Sequence, residues 1–115
     1  MPNQKQALTF ALLLPQARID SHQGRPDVRV GKKIFATLPP EERIVLKTTP
    51  ENLDVLIRLD PETFKVVWGH QWVSVELDRL EAGDLHQLVI DAWKLVAPAK
   101  LVREFELNQG AVGEL

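Results

Sequence analysis

Apolar and polar positions alternate along most of this chain, and the breaks in alternation mark its elements. Residues 4–14 are mainly apolar and predict a helix that stops near Pro15, because the residue before a proline is pushed out of helical geometry. Four β-branched or alternating runs follow, at 17–22, 26–30, 33–38 and 43–48, separated by Gly24, Gly31 and Pro39-Pro40. They read as an antiparallel meander. Thr49 can cap a helix over 50–59, with Pro50 at its first position, Glu51 at the positive end of its dipole and Leu53, Leu56 and Ile57 as its buried stripe. Two further strands, 64–69 and 72–77, form a hairpin around Gly69, His70 and Gln71.

The strongest helical signal lies at 84–97. Leu85, Leu88, Val89, Ala92, Trp93 and Val96 recur at helical spacing, and Asp84 with Gln87 has the form of a capping box. Beyond Pro98, "KLVREFEL" allows one or two more turns, and residues 108–115 read as a flexible tail after a single domain over 1–107. Strands in a run with helices grouped around them predict an α+β fold: one six-stranded antiparallel sheet, helices packed on one face.

Several strings, in order, resemble the MmcQ/YjbR family of small bacterial proteins. They are "FALLLPQA", "PDVRVGKKIFATL", "RIVLK", "WGHQWVSVEL" and "DAWKLVAPAKLV", which together span about residues 8–103. The resemblance implies a frataxin-like α+β arrangement and a "double wing" mode of DNA binding through two hairpins. It brings no catalytic motif to transfer. Lys32 stands where relatives often carry a second glycine, and Ser74 and Glu76 stand where many relatives carry basic side chains.

Charge adds an asymmetry. The net formal charge is -2, yet residues 18–49 hold seven cations (Arg18, Arg25, Arg29, Lys32, Lys33, Arg43 and Lys47) against four acids, while residues 50–91 hold three cations against nine acids. A local basic surface attracts phosphate backbones whatever the net charge. The expected interface has Lys32 and Lys33 reaching phosphates from a hairpin tip, with Arg25, Arg29, Arg43 and Lys47 extending the patch along neighbouring strands. The competing account is that lysines at tips and edges serve solvation and block edge-to-edge pairing. Register matters here. With Gly31-Lys32 as a two-residue turn, Val30 pairs with Lys33; a three-residue loop instead groups Val28, Val30, Ile34 and Ala36, and this cleaner alternation is the favoured arrangement.

Other candidate chemistry is thin. Trp68 and Trp72 flank a hairpin tip where indoles can stack on bases, although tryptophans at strand ends more often cap a core. Asp20 and His22 share a strand face, but Ser21 between them projects to the other, and no G-x-S-x-G elbow exists. His22, His70 and His86 have no metal-motif spacing, and no glycine-rich phosphate loop opens a helix. The acids of the second half (Asp54, Asp60, Glu62, Asp78, Glu81 and Asp84) suggest a metal face only by analogy with the fold. No catalysis and no cofactor are expected.

The absence of cysteine excludes disulfides and thiolate metal sites and fits a reducing compartment. The apolar stretch after Lys5, about eight residues long, is short for a signal peptide and has no basic cluster before it. No run reaches the roughly 20 apolar residues of a membrane span. The expectation is therefore a cytoplasmic, monomeric, non-enzymatic module that binds DNA weakly and without sequence preference. The alternatives are a protein-interaction adaptor, or a small-molecule or metal binder on the acidic half.

Overall fold

A computed structural model describes residues 2–113. Helix α1 (Gln4–Leu12) is capped by Asn3, whose side chain accepts from the Gln6 amide. Six strands form one antiparallel sheet: β1 (Ala17–His22), β2 (Arg25–Val30), β3 (Lys33–Thr37), β4 (Arg43–Lys47), β5 (Phe64–Val66) and β6 (Trp72–Glu76). Their spatial order is β1-β2-β3-β4-β6-β5. Between β4 and β5 lies α2 (Pro50–Leu59), capped by Thr49 as its sequence requires. After β6 come α3 (Ala82–Val96) and α4 (Ala99–Gly113). The α+β architecture read from the pattern is the one observed.

The core lies between the sheet and α1 and α3. Val28, Val30, Ala36, Ile44, Leu46, Val73 and Val75 line one sheet face and meet Ala7, Ala11, Leu85, Val89, Ala92 and Trp93. Trp93 is fully buried, and its indole N–H donates to the Pro15 carbonyl at 3.0 Å, so the one polar atom of a large core side chain is satisfied. Phe105 of α4 packs on the same indole with ring centroids 5.0 Å apart.

Three local expectations are corrected. α3 begins at Ala82 after Glu81, with no side-chain cap; Asp84 lies inside its first turn, where it favours the dipole but does not form the capping box. α4 runs 15 residues, rather than one or two turns, because Leu101, Val102 and Phe105 give it an apolar stripe against the core. The tail expected over 108–115 therefore starts inside this helix, and its last two residues lie outside the described ones.

The third correction concerns the basic hairpin. Gly31 and Lys32 form a two-residue turn, with Val30 opposite Lys33 and Arg29 opposite Ile34, so the favoured three-residue loop is not adopted. Positive φ occurs at Gly31 alone of the two (63°), as in the II′ turn that suits right-twisted strands. An irregularity follows, leaving Phe35 as an extra residue on β3, and Val28 then faces Ala36. Phe35 and Ala36 are both fully buried.

Candidate nucleic-acid interface

Antiparallel pairing carries both hairpin tips to one end of the sheet. The β2–β3 turn, the end of β4 and the start of β6 are all neighbours there, since Lys47 pairs with Trp72. At this end Lys33 sits opposite Val30 on the helix-covered side, while Ile34 sits opposite Arg29 on the other. A cleft of about 460 Å³ consequently wraps the sheet's end, lined by Lys32, Lys33, Ile34, Lys47, Trp72, Leu95 and Val96. Three cations and one indole meet in it, and no carboxylate lines it.

The far wall is fixed by β4. The Lys47 ammonium donates to Gln71 Oε1 at 3.1 Å and stands 5.0 Å from the centre of the Trp72 ring, a cation–π distance. The Thr48 amide donates to the Gln71 carbonyl at 2.9 Å, tying the second tip to the same strand. Trp68 meets Trp72 edge-on, with centroids 5.9 Å apart and planes at 70°. Trp68 is 53% exposed, so the core packing expected of it is not found, and Trp72 is half-buried. Trp68 also has φ of 57°, a left-handed conformation that costs a non-glycine residue about 1–2 kcal/mol.

Of the six basic residues expected to share a patch, Lys32, Lys33 and Lys47 are brought together. Lys32 and Lys33 are exposed and form no ion pair among the described residues. Arg25 lies at the opposite end of the sheet, paired with His22 beside the β1–β2 turn. Arg43 starts β4, also away from Lys47; it lies 3.4 Å from Glu41 and donates to the Ser74 hydroxyl at 3.3 Å. Arg29 is committed elsewhere. Its Nε and Nη2 donate to the two oxygens of Asp27, at 2.8 and 3.0 Å. The seventh cation, Arg18, donates to Asp20 at 2.9 Å and to the Gly31 carbonyl at 2.7 Å, bracing the first tip from the edge strand.

Asp27 is a residue whose importance the sequence did not reveal. It is fully buried on the sheet face away from the helices. Burial pushes its carboxyl upward, but hydrogen bonds from Arg29 and then His22, with their charges, outweigh this and hold it below the ordinary 3.8. Because that carboxylate is ionised, His22 Nδ1 must be the donor in their 2.7 Å contact. The signal that finds the pair is Gly24. Gln23 and Gly24 both have positive φ, as a I′ turn requires, and counting back from that turn places Asp20 beside Asp27 and His22 diagonally beside it. Ser21 alternates to the other face, so no nucleophile joins the histidine.

Among the described residues no group of three His, Cys, Asp or Glu side chains could hold a metal ion. Asp60 is lowered by the Thr63 hydroxyl, which donates at 2.6 Å, and by Arg79. Among the described residues no helix is long and apolar enough to cross a membrane.

Comparison with known proteins supports the fold. The YjbR family model matches residues 12–95. A Deinococcus radiodurans protein with a DUF419 domain is similar in structure, with TM-score 0.76 and 20% identity over 87% of this chain and 82% of its own. A Pseudomonas syringae protein is similar with TM-score 0.65 and 19% identity, over 84% of this chain and all of its own. No curated protein matches the chain.

Proposed function

The chain belongs to the YjbR family, and we propose that within this fold it is a non-enzymatic nucleic-acid-binding module whose contact surface is the lysine-lined cleft between the two hairpin tips. One observation carries this reading: Lys32, Lys33 and Lys47 meet beside Trp72 in a cleft with no lining carboxylate, although the protein as a whole is net negative. Phosphates seek such a surface because each neutralising cation releases condensed counterions. Phosphate contacts orient a ligand but carry no sequence information, so binding is weak and nearly independent of sequence. The acids of the second half repel the rest of the ligand and confine it to this end.

The test is a salt titration with a short labelled duplex. Three engaged lysines give a slope of about -3 in log affinity against log salt. Changing Lys32 and Lys33 to Ala reduces that slope by about 2 and leaves thermal stability nearly unchanged, since both are exposed. No binding at about 50 mM salt, or a slope indifferent to the double mutant, reduces the lysines to solvation of a hairpin.

A second reading, an interaction adaptor, is favoured by a different surface. Two adjoining hollows between α2 and α3 share Leu56 and Leu88, and Val55, Leu59 and Leu95 stand exposed along them. A photo-crosslinking residue at position 59 that captures one discrete protein, where the same residue at position 25 captures none, would favour it.

A further inference from the structure

We infer that the ligand of this interface is a single strand, with Trp68 as the platform on which an unpaired base stacks while the lysines hold the backbone. This presupposes that the cleft binds phosphate. What it adds is the state of the bases.

Trp68 is the anomaly that requires an account. A bulky residue in the left-handed region is an outlier, and such strain persists where the surrounding structure imposes it and clusters at functional sites. Packing does not explain it: Trp93 is fully buried, whereas Trp68 leaves 53% of its surface to solvent. The conformation holds an indole out from the second tip, edge-on to Trp72. Trp72 is itself held by the Lys47 ammonium, and the turn between the two rings is anchored through the Thr48–Gln71 backbone hydrogen bond. Trp72 thus lines the cleft with Lys32 and Lys33, and Trp68 flanks it one ring further out, 5.9 Å from Trp72 between centroids, before any ligand arrives.

The chemistry of the two halves of the site then selects the ligand. Lysine ammonium groups take phosphates of any strand. An indole face takes a base only when that base has a free face, and in a duplex those faces are hidden in the stack. Cations with adjacent exposed aromatics are what single-strand binders combine, and the result tolerates any sequence because every base has a π-face.

The experiment measures anisotropy and intrinsic fluorescence with a labelled 12-residue oligo(dT), an oligo(rU) of equal length and a duplex of equal length. The wild type should prefer oligo(dT) over duplex, with indole fluorescence quenched on binding. Trp68→Ala should weaken oligo(dT) binding about 5- to 100-fold, the effect of losing one stacked base, with the salt slope and duplex binding unchanged. Trp68→Phe keeps a ring face and should restore most of the affinity. If Trp68→Ala fails to fold, Trp68→Phe and the wild-type quenching decide. Provided that either single strand binds more tightly than the duplex with quenching, the single-strand assignment is upheld, and a difference between oligo(dT) and oligo(rU) identifies which strand is preferred. Salt-dependent duplex binding that is lost in the Lys32/Lys33 double mutant, with oligo(dT) no tighter and no quenching, would overturn the stacking role alone. Absence of salt-dependent binding to every ligand would overturn the phosphate reading with it.

Discussion

Arg29 closes on Asp27 two residues before it on the same strand face, matching two of its guanidinium nitrogens to both carboxylate oxygens at 2.8 and 3.0 Å. His22 adds a third donor at 2.7 Å. This pair decides which cations remain for a ligand: an arginine in the middle of the basic stretch is spent on holding the sheet together. Asp27→Ala should therefore destabilise the fold by about 3 kcal/mol, because it leaves Arg29 and His22 without their buried anion. A shift in the urea midpoint at constant slope measures it.

The same carboxylate sets a pH dependence with a definite sign. Its folded pKa is depressed, so its contribution is fully present above its unfolded value, about 3.9, and is lost as pH falls through the folded one. The urea midpoint should fall on acidification below about pH 4. Asp27→Asn should flatten that fall without abolishing it, since Asp60 is depressed in the same direction. An equally steep fall in the variant would assign the acid sensitivity to other groups.

Position within the sheet separates the cations that the proposed interface uses from those it leaves out. Arg25→Ala, at the opposite end, should leave affinity and salt slope unchanged. Lys47→Ala should lower the slope by about 1 and also disturb the Trp72 emission, because the ammonium lies against that ring. An Arg25 variant with a reduced slope would move the interface away from the hairpin tips.

Gly31 tests the turn itself. A Cβ there meets no atom within 4 Å, yet φ is 63°, so the cost of Gly31→Ala is purely conformational. The expected loss is about 1 kcal/mol, seen as a fall of about 4 °C in the unfolding midpoint. Gly31→Asn should lose less, as asparagine tolerates the left-handed region.

Much of the fold was legible because its signals are local. Thr49-Pro50 starts α2, and the Leu85 to Val96 stripe identifies α3; the quoted strings gave the family. What was missed depends on pairing. Alternation correctly sets Val28 opposite Ala36, but it places the extra residue of the hairpin in the turn, whereas the chain places it at Phe35. Both solutions satisfy the same apolar pattern from Val28 onward, so periodicity alone does not separate them. The site was half legible for the same reason: the lysines announce themselves by charge. The commitment of Arg29 to Asp27 is visible only after β1 and β2 are laid side by side, and the exposure and positive φ of Trp68 are features that no periodicity encodes.

The bond from Arg18 to the Gly31 carbonyl acts as a strut. It runs from the outermost strand to the crest of the first hairpin, so the crest cannot bend without dragging β1 with it. Lysines on a loose loop would lose backbone freedom when they grip a ligand, and that ordering would weaken the grip. In the proposed interface the turn beneath Lys32 and Lys33 is tied to β1 by this bond, so less of its backbone freedom is left to lose on binding. Arg18, which lines no part of the cleft, would thereby raise the share of the lysines' attraction that survives as affinity in the proposed interface.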